Sequence, residues 1–455
     1  MLGILYLFWI FVIGYYLMLK LTPWFHHATL GDETHQRPTP PAWMFQLPFA
    51  WVLGALVVNW TNFALCNFQR SISTTLFTML LAGTASVWIL LTEFKNKEQS
   101  HFCLSLKAMW KNTGRAEWVY LALVLILAAY TNLYTLHESA KEVLISQGVF
   151  SDFAPHISLI RSFSVGENFP PQYPHFAAGD IPYHFLFHFL VASLEFLGLP
   201  LSWSFNLPSI ISLSSLLLLV YVLAVRVSGI KAVGYWALIF IFFRSSWAFF
   251  QFAQNYHMSQ LPEAIWETSY YVGKTPNAGW GMWTLFNTFA NQRHLAIGIC
   301  GAFVALILLL PQVEARIFGA KEENRLQAWR MGNTQRAVFI GVFLGAIAFW
   351  NGATLIAGLL VLFGFALSSR HRLEYILVAV IAVVLASLQS KWFIAPGKTP
   401  VAAHFVFGFL AEDKSIPGVI SYIWQAYGLL VPLFLISLFY WRKYAGIGKS
   451  GTSNP

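Results

Sequence analysis

The chain has 455 residues, of which 57% are hydrophobic and only 10% charged, with a formal net charge of +9. Soluble domains carry roughly 25% charged residues, so a soluble globular domain is excluded; continuous rather than alternating apolar runs also exclude a transmembrane β-barrel. The basic residues are spread among loops rather than gathered on one module, which points to positive-inside loops and anionic lipid and away from nucleic acid.

What remains is an all-α, polytopic membrane protein. The apolar runs predict about 11 transmembrane helices, near 2–19, 44–66, 74–93, 117–136, 204–226, 232–250, 294–311, 337–350, 353–368, 373–391 and 418–440. The first, "LGILYLFWIFVIGYYLML", has no small-residue cleavage site after it and reads as a retained helix rather than a signal peptide. "NWT" at 59–61 matches a glycosylation acceptor pattern but lies at a predicted helix end. "FWNGAT" between 337–350 and 353–368 reads as a tight turn or as a break in one long tilted helix.

Loop charge sets the sidedness. The stretch 95–115 carries Lys95, Lys97, Lys107, Lys111 and Arg115; 315–336 carries Arg316, Lys321, Arg325, Arg330 and Arg336; "RVSGIK" (226–231), "RHR" (370–372) and the tail "WRKYAGIGK" (441–449) add more. Placing all of these in the cytoplasm puts the N-terminus outside, the C-terminus inside, and three long segments on the outer face: 137–203, 251–293 and 392–417. The run 184–198, "HFLFHFLVASLEFLG", has about fifteen residues against the roughly 20 needed to span, so it reads as a helix lying on the membrane surface. The resulting organisation is an accessory block of helices (1–94), a cytoplasmic basic loop (95–116), a core (117–441) and a cytoplasmic tail (442–455). The location expected is the plasma (inner) membrane, with the site facing outward.

The outer segments carry the candidate chemistry. Over 151–165, Ser151 and Asp152 suit a helix start, and Phe153, Ile157, Ile160 and Phe163 form one apolar stripe, as in an amphipathic surface helix. Asp152 and His156 fall at i, i+4 on one face. Asp152 reads either as a helix cap or as a carboxylate presented at the membrane boundary with histidine assistance. The following Gly-, Pro- and aromatic-rich loop offers Glu167, Asp180, Tyr183 and His184, whose polar groups beside aromatic walls suit a sugar or lipid head-group, or simple solvation. In "NQRHLAIG", Arg293 and His294 stand where a helix enters the membrane, an arrangement suited to phosphate. Arg161 and Arg244 are outer arginines near the bilayer, serving either a phosphate or head-group snorkelling. His257 is a lone histidine, read chiefly as structural. No metal-ligand spacing stands out, Cys66, Cys103 and Cys300 lie far apart, and GxxxxGK[ST], GxGxxG beside a strand and HExxH are all absent.

A basic loop leading into helix 117–136, then an outer loop whose early acid Asp152 opens "DFAPHISLIRSFS", then a proline-led helix ending in "LEFLGLPLSWSFNLPSI", resembles GT-C type glycosyltransferases. That is the polytopic class with protein O-mannosyltransferases and the lipid A aminoarabinose transferase. The resemblance covers roughly residues 117–440. It implies a GT-C-like fold and inverting transfer of a sugar from a polyprenyl-phosphate donor to a lipid, glycan or protein acceptor on the outer face. In that scheme Asp152 is the general base, oriented or aided by His156; Arg293, His294, Arg244 and Arg161 meet the donor phosphate. Glu167, Asp180, Tyr183, His184 and His257 line the substrate. A divalent metal, Mg²⁺ or Mn²⁺, bridging Asp152 and phosphate fits this chemistry, but no ligand cluster demands it. The alternative is a transporter or flippase of lipid-linked saccharides, which should show broken helices or ionisable groups near the bilayer midplane. A scaffold protein gives no reason for outer arginines beside acids.

Overall fold

The computed structural model describes residues 1–25, 39–95, 109–139, 142–175, 181, 183–242, 246–268, 288–318, 329–393 and 406–447. In chain order the helices begin with Leu2–Leu21 (α1), continued by a 3-10 turn at Thr22–Phe25, then Trp43–Gln69 (α2), Thr74–Lys95 (α3) and Arg115–Thr135 (α4). A hairpin of Leu136–Glu138 (β1) and Val143–Ile145 (β2) pairs antiparallel with Leu136 opposite Ile145. Next come Phe150–Ser164 (α5), Leu186–Phe196 (α6), Leu201–Ser228 (α7), Lys231–Phe242 (α8), Ala248–Ala253 (α9) and Leu261–Glu267 (α10). The last are Arg293–Phe318 (α11), Thr334–Ala346 (α12), Gly352–Ser368 (α13), Arg372–Phe393 (α14), Ile416–Tyr427 (α15) and Leu430–Ile447 (α16).

Among the described residues, seven helices are long and apolar enough to cross a membrane: α1, α2, α3, α4, α7, α11 and α14. The count rises to eight if α15 and α16, bent by 98° at their junction, form one broken span. The expected count of about 11 is not confirmed, because the other expected runs give shorter helices among the described residues. The run 232–250 is divided between α8 and α9, and the runs 337–350 and 353–368 are separate helices of 13 and 17 residues. At "FWNGAT" the chain turns, and the Asn351 side chain caps α13 by accepting from the Thr354 amide at 3.0 Å.

The structure comprises two compact units, Met1–Leu238 with Phe289–Val401 and Ile239–Thr288 with Ala402–Pro455. In the second unit, Phe252 and Ala264 are buried with Phe249, Leu261 and Ile265 against them, and the Trp247 amide donates to the Gln425 carbonyl at 3.1 Å. The first unit holds the large core. Within it, α2 packs against α6 and α7. Trp51 donates to Ser212 on α7 at 3.0 Å, Asn62 to Ser193 on α6 at 3.0 Å, and Asn59 to the Leu186 carbonyl at 2.9 Å. Asn59 is fully buried in mid-helix, so its glycosylation pattern has no accessible acceptor.

Of the two predicted surface helices, α6 is buried, and α5 turns its apolar stripe inward while Ser151, Ala154 and Arg161 stay exposed. α6 has 11 residues, and Leu186 through Leu194 are all buried against α2, α5 and α7. Its first amide donates to the Phe349 carbonyl at 3.1 Å, at the α12–α13 turn. Too short to span and mostly apolar, the helix packs inside protein, where its few polar side chains find partners: Ser193 with Asn62, and His188 with His156. α5 forms over the expected residues, but its stripe is turned inward: Phe163 packs on Phe169, Phe185 and Phe189, and Phe153 on Phe205.

α1 is seated on α2 by two glycines. A Cβ on Gly14 would enter the Ala50 carbonyl, and one on Gly54 would enter the Ile10 carbonyl. Small residues let helix backbones approach this closely in a membrane. Gly54→Val is expected to destabilise the protein by about 1–3 kcal/mol through overpacking. Thermal unfolding in detergent checks this, and unchanged stability would show that α1 is not held at this crossing.

Candidate functional site

Four elements of the first unit converge on one buried polar centre. The first turns of α5 contribute Asp152 and His156, the segment entering α6 contributes Tyr183 and His184, α6 contributes His188, and the start of α11 contributes Gln292, Arg293 and His294. His156 Nδ1 and His188 Nε2 are 2.7 Å apart, and their rings stack at 4.7 Å. The His294 ring lies 5.4 Å from that of His156 and 5.5 Å from that of His188. His184 is sandwiched between Tyr183 at 3.9 Å and His294 at 4.3 Å.

A hydrogen-bonded chain links this cluster to Asp152. The Gln292 Nε2 donates to Asp152 Oδ2 at 3.0 Å, the Tyr183 hydroxyl donates to Gln292 Oε1 at 3.1 Å, and the same hydroxyl lies 3.1 Å from His294 Nε2. A carboxylate only accepts, so the amide nitrogen of Gln292 must face it. Its oxygen then takes the tyrosine proton, and His294 Nε2 must carry the hydrogen that reaches the phenol. The lone pair of a neutral His294 is thereby left on Nδ1.

Burial keeps the imidazoles neutral. It pushes His156 down to about 4, against the raising effect of Asp152 and together with the charge of Arg293. It pushes His184 down to about 3, helped by His156, and His188 well below the usual histidine range. Desolvation and the Asp152 charge raise Tyr183, so its phenol stays protonated. A neutral ring carries one lone pair and one N–H, and His156 Nε2, His184 Nε2 and His188 Nδ1 are buried without a hydrogen-bond partner.

Asp152 does not cap α5. The helix begins at Phe150, the cap position is Val149 with no side-chain bond, and Asp152 sits in the first turn holding Gln292. The capping reading is therefore set aside; Asp152 is half-buried, and among the described residues its Oδ1 accepts no hydrogen bond.

Arg293 is corrected from a phosphate ligand to an internal pin. Its side chain is 1% exposed and lies between the rings of Phe153 and Phe205, 4.8 and 4.6 Å from their centroids. It donates to Asn206 Oδ1, to the Asn132 carbonyl at 3.0 Å and to Thr135 Oγ1 at 2.9 Å. His294, also expected at phosphate, is committed to Tyr183 and the histidine cluster. Arg161 pairs with Glu195 at 3.2 Å, and the same carboxylate accepts from Ser164 at 2.6 Å. Glu167 is corrected from substrate contact to a brace for α3, accepting from Ser71 Oγ at 3.2 Å and from the Ile72 amide at 2.7 Å. His257 is exposed in the second unit. Asp180 and Arg244 lie outside the described residues.

Sequence reading missed His188 and Gln292. A signal for His188 exists: His184 and His188 stand four apart, the spacing that puts two imidazoles on one helical face. Reading 184–198 as a membrane-surface helix hid it. Nothing local marks Gln292, whose role depends on a partner 140 residues away.

The class defined by these features is an all-α protein with several membrane-spanning helices and a buried, histidine-rich polar centre joined to a half-exposed carboxylate. Comparison with family models, curated proteins and solved structures finds no match to this chain.

Proposed function

We propose that this chain is a membrane glycosyltransferase. It moves a sugar from a polyprenyl-phosphate carrier to an acceptor at the outer face, with Asp152 as general base. The observation that carries this reading is the half-buried Asp152 carboxylate, oriented through one oxygen by Gln292 while the other accepts no bond among the described residues. A general base needs that combination of fixed direction and a free lone pair within reach of an acceptor hydroxyl. Tyr183 and His184 supply the polar, aromatic wall beside it. The outer location in this reading rests on loop charge and takes 232–250 as a span, since without it 251–293 would share the face of 226–231. The pair α12 and α13 does not alter it, because spanning twice and re-entering both return the chain to the same face.

Arg293 has no part in binding the donor phosphate in this scheme. A second reading, a transporter or flippase of lipid-linked saccharides, is favoured by the broken pair α15 and α16, since discontinuous helices mark many transport sites.

The test is incubation of the purified protein with a panel of polyprenyl-phosphate sugars, scoring release of polyprenyl phosphate and the anomeric configuration of the product. Release with inversion is the expected result. Movement of the intact lipid across vesicles without any release would favour the flippase and overturn the transferase.

A further inference from the structure

We infer that His156, His188 and His294 form a binding site for a divalent transition-metal ion of the zinc class. One ring nitrogen from each lies within 4.8 Å of the others, and all three residues are buried, with 5%, 0% and 2% exposure. A tetrahedral site with metal–nitrogen bonds of about 2.1 Å separates its ligand atoms by about 3.4 Å. The present spacing is bounded only at 4.8 Å, so ligation requires the rings to turn and the His156–His188 contact to open.

The cluster is not explained as a satisfied polar core. With both rings neutral, the 2.7 Å contact between His156 Nδ1 and His188 Nε2 holds a single proton. One of the two outer nitrogens, His156 Nε2 or His188 Nδ1, is then a bare lone pair and the other an N–H without an acceptor; both are buried and unpartnered. No distribution of protons over two neutral rings satisfies both, and each unmet buried group costs about 1–3 kcal/mol. A Lewis acid uses lone pairs that hydrogen bonding leaves idle.

Two further features fit a metal. The chain Asp152–Gln292–Tyr183–His294 reproduces the logic of a carboxylate fixing the tautomer of a ligating histidine, and it leaves His294 Nδ1 as the lone-pair nitrogen. The donor set is three imidazoles with no thiolate, which suits zinc, cobalt, nickel or copper ions rather than the oxygen-seeking Mg²⁺ or Mn²⁺. Three protein ligands leave a fourth position for water or a substrate oxygen, the pattern of catalytic rather than structural sites.

This inference takes its setting from the proposed transferase centre, but its test reads metal directly. The purified full chain in detergent is stripped with chelator, re-loaded with Zn²⁺ or Co²⁺, and assayed for metal content and for the visible Co²⁺ spectrum. The expected result is about one ion per chain with a tetrahedral Co²⁺ spectrum. His188→Ala should abolish it, and Tyr183→Phe, a smaller change, should weaken affinity about 10- to 100-fold by removing the outer hydrogen bond. His137→Ala, on the exposed strand β1, should leave binding unchanged. No stoichiometric ion in the wild-type chain overturns the site, as does full retention of the ion by a folded His188→Ala protein. A chain that binds the ion but transfers no sugar keeps the site and loses the function; transfer by a metal-free chain does the reverse.

Discussion

Asp152→Asn is expected to lower glycan transfer by about a hundred- to ten-thousandfold, the usual contribution of a positioned general base, while insertion and folding survive. The substitution keeps the size of the side chain and removes its ability to take a proton. Folding should survive because Asp152 caps nothing: the cap position of α5 is Val149, and the carboxylate is half-exposed. A second consequence follows from the hydrogen bonds. The ionised carboxylate forces Gln292 to present its amide nitrogen, whereas an asparagine can donate as well as accept, so the orientation of Gln292 and the proton of Tyr183 are no longer dictated. Polyprenyl phosphate release measures the first effect, and thermal unfolding in detergent controls for the fold. Undiminished release by the variant would remove Asp152 as the base.

Arg293→Ala is expected to destabilise the protein by about 4 kcal/mol, the scale seen when one partner of a buried charged network is removed. It leaves the buried Asn206 Oδ1 without its donor, removes one bond each from the Asn132 carbonyl and Thr135 Oγ1, and opens a void between Phe153 and Phe205. Arg293→Lys should recover only part of this, because an ammonium cannot bridge three acceptors in a fork or stack between two rings. The pin joins the start of α11 to α4 and α7, so its loss also loosens Gln292 and His294. Unfolding in detergent decides the matter. A lysine variant of full stability whose only defect is weak donor binding would return Arg293 to the phosphate.

Much of the fold was legible in the chain. α1, α2, α3, α4, α7, α11 and α14 form where long apolar runs predict them, and α5 forms where its stripe of Phe153, Ile160 and Phe163 predicts it. Asp152, His156, Tyr183, His184 and His294 were all recognised as candidates, and they meet at one centre. The roles of Arg293 and Glu167 were not legible. An arginine beside a helix start or a glutamate in a loop looks the same in sequence whether it faces a ligand or holds the backbone of a distant element.

By itself, the sequence determined that this is a helical membrane protein and where its long helices run. An apolar segment long enough to span has one way to satisfy its backbone in lipid, the α-helix, so composition and length suffice. Only the tertiary structure decided what the short apolar runs do and which polar groups meet. α6 is too short to span, and only its neighbours determine that it is buried rather than lying on the membrane. The centre is assembled from residues as far apart as Asp152 and Gln292, and His188 faces it only because α6 packs inward. Contacts of that kind depend on how helices pack, not on the local pattern of any one of them.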